Sequence, residues 1–169
     1  EEDGPATIDR LLVKARLRKA QGRAADAADA MVAAQGLDTA DRYLCNRAAK
    51  YLFRAGRVED GVAMFRRFVR KVDDFEASMV ELEVVWFLVE RAEAQLRCGR
   101  LDEAEAGAKQ VVAAYDRYKD DLFDFHTYVL MRSSVDTYIR TMRAVAGYND
   151  APFRQRAAKV LEAVAAQRH

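Results

Sequence analysis

A short Gly-Arg segment recurs three times in this chain and constrains its fold more than any other feature. The copies begin at Gly22, Gly56 and Gly99, and each continues with a small or apolar residue, an acidic position and then Ala or Gly. The first two glycines are 34 residues apart, which is the period of the tetratricopeptide helix pair, and the third follows after 43. This spacing predicts stacked antiparallel helix pairs that bury their apolar faces against neighbouring pairs.

The positions around each glycine serve separate structural purposes. Glycine suits the left-handed residue that ends the first helix of a pair. The acid that follows lies near the positive end of the second helix dipole, where negative charge is favourable. The fifth residue after each glycine is small, which lets the two helices approach closely; these residues are Ala27, Gly61 and Ala104.

Helix breakers are scarce, with two prolines and eight glycines in 169 residues. Apolar residues also recur at spacings of three and four, so the sequence predicts an all-α, right-handed, tetratricopeptide-like solenoid of about four antiparallel helix pairs. The predicted helices lie near 6–21, 24–35, 39–55, 58–71, 75–98, 101–118, 122–146 and 153–167. They form repeats near 6–35, 39–71, 75–118 and 122–167 of a single helical-repeat domain, 1–169. Its weakly polar final helix indicates a fragment of a much longer scaffold.

Positive charge is concentrated at the start of the chain although the net charge is only +1. Residues 10–23 hold six Lys or Arg side chains and no acid. On a helix, Lys14 and Arg18 share one face, while Arg16, Lys19 and Arg23 share the adjacent one. Lys50 and Arg54, on the first helix of the next repeat, join this set if equivalent helices of adjacent repeats lie side by side. The residues alone leave two interpretations open: a solvated face, or a site for a polyanion such as a phosphorylated small molecule, RNA or an acidic partner.

The sequence contains no recognisable catalytic or metal-binding arrangement. It has no glycine-rich phosphate loop, and Cys45 and Cys98 are too far apart for a metal motif, so we expect two reduced, buried thiols. His126 has no acidic partner at helical spacing and is predicted to be a structural, hydrogen-bonding residue. A group of acids in the middle of the chain is predicted to lie on solvated helix faces: Glu81, Glu83, Glu90 and Glu93.

Targeting signals are also missing from the sequence. There is no apolar run of about 18 residues, as a membrane span requires. The first residues are acidic and unlike a signal peptide. These observations favour a cytoplasmic protein that does not bind membranes.

Two segments carry a resemblance to a known family. Residues 36–43 read Gly-Leu-Asp-Thr-Ala-Asp-Arg-Tyr and residues 124–128 read Asp-Phe-His-Thr-Tyr. Other short features match in the same order: Ala48-Ala49-Lys50-Tyr51, Trp86-Phe87, Gly99, Pro152-Phe153 and Ala157-Ala158. Over about residues 11–167, the chain resembles the auxiliary subunit of the N-terminal acetyltransferase A complex. It departs from the family at Val129–Arg132, where Cys-Met-Arg-Lys is usual, and at Asp136, where arginine is usual.

This resemblance implies a non-catalytic scaffold. Such a subunit holds the catalytic acetyltransferase subunit and supports co-translational N-terminal acetylation at the ribosome, so the protein would be cytoplasmic and ribosome-associated. It would not bind nucleic acid sequence-specifically. The family also binds inositol hexaphosphate, as a structural ligand rather than a catalytic cofactor, between scaffold and catalytic subunit. The basic residues that match that site are Lys14, Arg16, Arg18, Lys19 and Lys50.

Three other functions are compatible with a helical-repeat chain but have less support than the scaffold. A generic tetratricopeptide adaptor, like a co-chaperone, clamps peptide carboxylates with Lys, Asn and Arg on its first helices, and Asn46, Lys50 and Arg54 imitate that pattern on one helix. An RNA-binding repeat needs cations and stacking aromatics on every repeat, whereas the cations here are clustered. An enzyme is the least supported alternative.

Overall fold

The computed structural model describes residues 5–69 and 74–168, and every regular element within these ranges is helical. The helices are α1 Pro5–Ala20, α2 Ala24–Leu37, α3 Arg42–Arg54, α4 Val58–Arg66, α5 Phe75–Glu81, α6 Val85–Arg97, α7 Leu101–Arg132, α8 Val135–Ala146 and α9 Pro152–Arg168. A single 3₁₀ turn, Tyr148–Asp150, precedes α9. None of these helices is both long enough and apolar enough to cross a bilayer.

The chain packs into two compact units, which are described separately. The first comprises residues 1–75 and 93–100. Within it α1 packs on α2, α2 on α3 and α3 on α4. Its core combines large side chains with many alanines: Ala15, Ala27, Ala28, Ala30, Met31, Cys45, Ala48, Ala49, Tyr51, Leu52 and Met64. The second unit comprises residues 76–92 and 101–169, in which α7 packs on α9 and contacts α8.

The three motif glycines end their helices as predicted. Gly22, Gly56 and Gly99 have φ angles of 74°, 78° and 75°. In each case the backbone N–H of the following arginine donates to the carbonyl five residues earlier, at 2.9, 3.0 and 2.9 Å. This pairing satisfies carbonyls that the helix end leaves without partners, and it requires the left-handed conformation that glycine adopts most easily.

The arginine after the glycine also links successive helix pairs. The Nη1 atom of Arg57 donates to Asp29 Oδ1 of α2 at 2.8 Å, and Arg100 Nη1 lies 2.5 Å from Glu59 Oε1 of α4. Each arginine therefore reaches back to an acid on the second helix of the preceding pair. The sequence pattern showed that arginine recurs but gave no reason for it.

Four of the predicted helices differ from the structure, those over 58–71, 75–98, 101–118 and 122–146. The helix predicted over 75–98 is divided into α5 and α6 by a corner at residues 82–84, where Glu83 has a φ of 50°. The predicted break near 119–121 is absent, because α7 continues to Arg132. The chain turns instead at Ser133 and Ser134, and Ser134 Oγ caps α8 by accepting from the Thr137 N–H. Helix α4 ends at Arg66 rather than near 71, and residues 70–73 lie outside the described part.

Two burial predictions were also wrong. Glu90 was expected on a solvated face but is fully buried, and its Oε1 lies 3.1 Å from Nη2 of Arg156 on α9. The buried face of α6 is broad enough to include it, since Phe87, Leu88 and Val89 are also fully buried. Cys45 is buried as expected, whereas Cys98 is exposed because it lies in the turn after α6.

Candidate functional site

The structure places two of the five predicted anion-binding residues in one cavity of the first unit and the other three outside it. Lys14 and Arg18, one turn apart on α1, line a cavity of about 350 Å³. The other residues lining it come from α1, the following turn and α2: Leu11, Arg23, Asp26, Asp29, Ala30 and Ala33. Arg16, Lys19 and Lys50 do not line this cavity.

Arg23 was predicted on the same face as Arg16 and Lys19, and the structure corrects this. Helix α1 ends at Ala20, so Arg23 occupies the N-terminal cap position of α2 instead of continuing the first helix. It lines the cavity with Lys14 and Arg18, and its guanidinium forms an ion pair with Asp26.

The cavity has a mixed electrostatic character. It is lined by three cations and two acids, and both acids are paired, Asp26 with Arg23 and Asp29 with Arg57. Within residues 5–69 and 74–168, Lys14 has no ion-pair partner, and Arg18 donates to the Gln21 side chain at 3.1 Å. The residues that line the cavity have a net charge of +1, which suits a single carboxylate or phosphate group. A polyanion entering the cavity would meet two carboxylates.

Arg16 and Lys50 occupy equivalent positions in successive repeats. They are separated by the same 34 residues as Gly22 and Gly56, so they fall at corresponding points of α1 and α3. Helix α2 packs on both α1 and α3, so Arg16 and Lys50 stand on helices that share a neighbour. Lys19 lies one turn beyond Arg16 and is exposed. In the described part of the chain neither Arg16 nor Lys19 forms an ion pair.

Sequence reasoning missed Arg47, which lies one turn before Lys50 on α3. Its guanidinium carbon is 5.7 Å from the centre of the Tyr43 ring and 5.6 Å from that of Tyr51. These two rings fix the direction of the arginine, and its buried Nε has no protein partner. Arg47 lies three residues before Lys50, and this helical spacing is the sequence signal that could have identified it. We call Arg16, Lys19, Arg47 and Lys50 the cationic surface. It contains three of the five predicted residues. The other two, Lys14 and Arg18, line the cavity.

His126 forms the hydrogen bond that was predicted for it. Its Nδ1 atom is 2.9 Å from the hydroxyl oxygen of Tyr138 on α8, and the two rings meet edge to face with centroids 5.8 Å apart. The pair therefore joins α7 to α8. Among the described residues, no group of three or more His, Cys, Asp or Glu is arranged to hold a metal ion.

A second surface, which sequence reasoning also missed, lies in the other unit. The end of α7 and the start of α8 expose several large apolar side chains: Tyr128, Leu130, Met131, Val135 and Ile139. The sequence signal for this surface is the spacing of apolar residues in 135–145, at intervals of three and four, which predicts an amphipathic helix.

The comparisons with known proteins agree on one family. The model of the family described as "N-terminal acetyltransferase A, auxiliary subunit" matches residues 2–166. The mouse (Mus musculus) protein N-alpha-acetyltransferase 16, NatA auxiliary subunit, is 33% identical over 139 residues, 82% of this chain and 16% of that protein. The Arabidopsis thaliana N-terminal acetyltransferase A complex auxiliary subunit NAA15 is 26% identical over 154 residues, 91% of this chain and 17% of that protein.

A solved structure extends the similarity to the fold. A chain in the structure of Naa15/Naa10 bound to HypK-THB superimposes with a TM-score of 0.80 at 33% identity. The match covers 89% of this chain and 23% of the other. This confirms the all-α helical-repeat prediction, while the number of repeats stays a prediction. The chain spans about a sixth of the length of the curated relatives it matches.

Proposed function

This chain belongs to the family of N-terminal acetyltransferase A auxiliary subunits, and from that premise we propose that it is a scaffold segment that holds the catalytic subunit. The acetyl transfer itself is assigned to that partner. The observation that carries the proposal is the match to the family model over residues 2–166, joined to a fold shared with a protein solved in complex with Naa10.

The proposed setting is the cytoplasm, at the ribosome, where the complex acetylates emerging chains. The motif resemblance at residues 36–43 and 124–128 supports this setting. The peptide-adaptor alternative depends on a single helix, and one of its three residues, Lys50, belongs to the cationic surface. We therefore keep the scaffold as the only proposed function.

The scaffold role is tested by reconstitution. Adding the parent scaffold to its purified catalytic subunit should increase acetylation of peptides with small N-terminal residues. Scaffold lacking residues 1–169 should give less stimulation. Equal stimulation by both proteins would refute a scaffolding role for this segment.

For the basic residues we propose that inositol hexaphosphate, as a structural ligand, binds chiefly to the cationic surface. Arg16 and Lys50 are supported by their repeat-equivalent placement, Lys19 lies one turn from Arg16, and Arg47, stacked between two tyrosines, adds a directed guanidinium. Guanidinium and ammonium groups together recognise phosphate through charge-assisted hydrogen bonds. Lys14 and Arg18 are assigned a smaller contribution, because Asp26 and Asp29 share their cavity.

Two matched double substitutions distinguish the two surfaces. We expect Arg16→Glu with Lys19→Glu to abolish the rise in melting temperature that inositol hexaphosphate gives. Lys14→Glu with Arg18→Glu changes charge by the same amount on the same helix and should retain most of that rise. The opposite ranking would move the site to the cavity. Undiminished stabilisation of both variants would refute the anion site.

A further inference from the structure

One side of α1 is exposed although the same side of the later first helices is buried. The motif glycines set the correspondence, because Gly56 and Gly99 follow Gly22 by 34 and 77 residues. Five residues of α1 are exposed or only half-buried: Arg10, Leu11, Lys14, Leu17 and Arg18. Their counterparts in α3 are all buried: Leu44, Cys45, Ala48, Tyr51 and Leu52. Their counterparts in α6 are buried too: Phe87, Leu88, Arg91, Ala94 and Gln95.

The five residues of α1 form one continuous side of the helix. At 3.6 residues per turn they fall within an arc of about 120°. Fully buried Ala15 lies beyond one edge of this arc and belongs to the core that α1 shares with α2. Arg16 and Lys19 of the cationic surface also lie outside the arc. We call this side, Arg10, Leu11, Lys14, Leu17 and Arg18, the open face.

In the next repeat the corresponding face is covered by the helix that precedes it. Helix α2 packs on α3, and four of the five α3 counterparts share one core cluster with residues of α2. An ion pair from Arg57 to Asp29 of α2, at 2.8 Å, lies at the same junction. By repeat equivalence, the structure that fits the open face is the second helix of another helix pair.

The charge of the open face indicates what this helix must carry. Three of the five residues are cations, at positions where α3 has Leu, Ala and Leu. An apolar helix such as α2 would bury these cations without partners, which is strongly unfavourable. Arg91 of α6, the counterpart of Lys14, shows the alternative. It is only 7% exposed, and its Nη1 lies 2.5 Å from Oε2 of Glu76 on the preceding helix, α5.

Arg23 indicates the same requirement at the end of α1. Arg23 and Arg57 each pair with the acid three residues later, and Arg57 takes a second carboxylate, Asp29, from the preceding helix. Among the described residues Arg23 has no second carboxylate partner, and the acids at the very start of the sequence precede the other end of α1. The cavity that Arg23 lines with Lys14 and Arg18 gives such a carboxylate a place to bind.

We propose that the open face docks an acidic helix of the parent protein, the second helix of another helix pair, whose carboxylates contact Lys14, Arg18 and Arg23. The curated relatives are about six times as long as this chain, so further pairs fit in a protein of this family. Lys14 and Arg18 are one turn apart, and the docked helix should therefore carry acids three or four residues apart. The proposal concerns packing within the parent protein and does not depend on its binding a catalytic subunit.

Zero-length carbodiimide cross-linking of the parent protein tests this docking, because the reagent joins a lysine only to a carboxylate in direct contact. We expect mass spectrometry to find Lys14 joined to an Asp or Glu of the same polypeptide outside residues 1–169. Lys109 is the positive control: its Nζ lies 2.6 Å from Oε1 of Glu105, and the two should be joined. Mixing isotope-labelled with unlabelled protein separates links within one polypeptide from links between copies.

Every other cross-linking result contradicts the proposal. A link from Lys14 to Asp26 or Asp29 would show that the cavity neutralises its own cations. A link to a second copy or to the catalytic subunit would identify a different occupant of the open face. Absence of any Lys14 link, where Lys109 is joined to Glu105, would show that no acidic helix docks there.

Leu17→Asp tests burial of the open face by a second route. Leu17 is 55% exposed within the described residues, whereas its counterparts Tyr51 and Ala94 are buried. In the parent protein this variant should raise amide hydrogen-exchange rates in α1 by about tenfold or more, since a charge would enter a packed interface between helices.

Ala20→Asp is the matched control for this variant. Ala20 is exposed, lies in the same last turn of α1 as Leu17 and stands outside the arc of the open face. An acid at either position therefore has the same unfavourable interaction with the helix dipole. Exchange in Ala20→Asp should stay within about twofold of wild type, as for a neutral surface substitution. Equal exchange rates in the two variants would overturn the docking.

Discussion

Substituting Gly61 by alanine tests whether close helix approach is what selects small residues after each Gly-Arg segment. A Cβ atom added at Gly61 would lie 2.6 Å from Cε1 and 2.7 Å from Cδ1 of Phe53. The Phe53 ring is fully buried, so it cannot move out into solvent. Overpacking of this kind costs about 1–3 kcal/mol, and the better helix propensity of alanine returns at most about 1 kcal/mol. We expect Gly61→Ala to lower the free energy of unfolding by ~1–2 kcal/mol.

Gly36→Ala is the matched control, because Gly36 is also helical but has no atom within 4 Å of the added Cβ. It should raise the free energy of unfolding by up to ~1 kcal/mol, since alanine is the better helix former. Urea unfolding followed by circular dichroism should separate the two variants by roughly 1 M in midpoint. Equal midpoints would refute the close-approach argument. Adding Phe53→Leu should relieve the cost of Gly61→Ala, which a double-mutant cycle measures.

Three further predictions concern charge and thiol chemistry. Arg156→Leu removes one ion pair from the buried carboxylate of Glu90 and should destabilise the chain by about 3 kcal/mol in urea; stability within about 0.5 kcal/mol of wild type, roughly the range of a neutral surface change, would contradict this. Hydrogen bonds from Lys109 and then Arg168 lower the pKa of Glu105, so its contribution to stability is present above its unfolded pKa and is lost as pH falls through the folded pKa. Glu105→Gln should therefore reduce the loss in free energy of unfolding that accompanies a fall in pH. An unchanged pH dependence of that free energy would count against the pairing. Exposed Cys98 should react rapidly with Ellman's reagent, whereas Cys45 should react only on unfolding because burial raises the pKa of its thiol; two equally fast thiols would be inconsistent with the fold.

The first half of the fold was predictable because its signals are local. The sequence shows each of these signals: a glycine that must adopt positive φ, a small residue at a close approach, and a 34-residue period. Helices α1 to α4 accordingly begin within about three residues of their predicted positions. The corner at Glu83 was not predictable, since a non-glycine residue with positive φ depends on tertiary contacts. One such contact is from Arg117 Nε to Glu83 Oε1, at 3.2 Å.

The candidate site was only partly predictable for a related reason. Helical spacing correctly grouped Lys14 with Arg18, which line one cavity. It could not place Arg23, because that depends on where α1 ends, nor show that α2 supplies Asp26 and Asp29 to the same cavity. The burial of Glu90 depends on Arg156, which lies 66 residues later on another helix, and spacing within one helix carries no information about it.

The scaffold function is tested most directly by affinity capture of the full-length parent protein from its own cytosol, followed by mass spectrometry of what is retained. We predict recovery of a small acetyltransferase subunit in near-stoichiometric amount, together with ribosomal proteins. Recovery of chaperones, or of no acetyltransferase, would contradict the scaffold function and leave the chain as a helical-repeat adaptor for other partners.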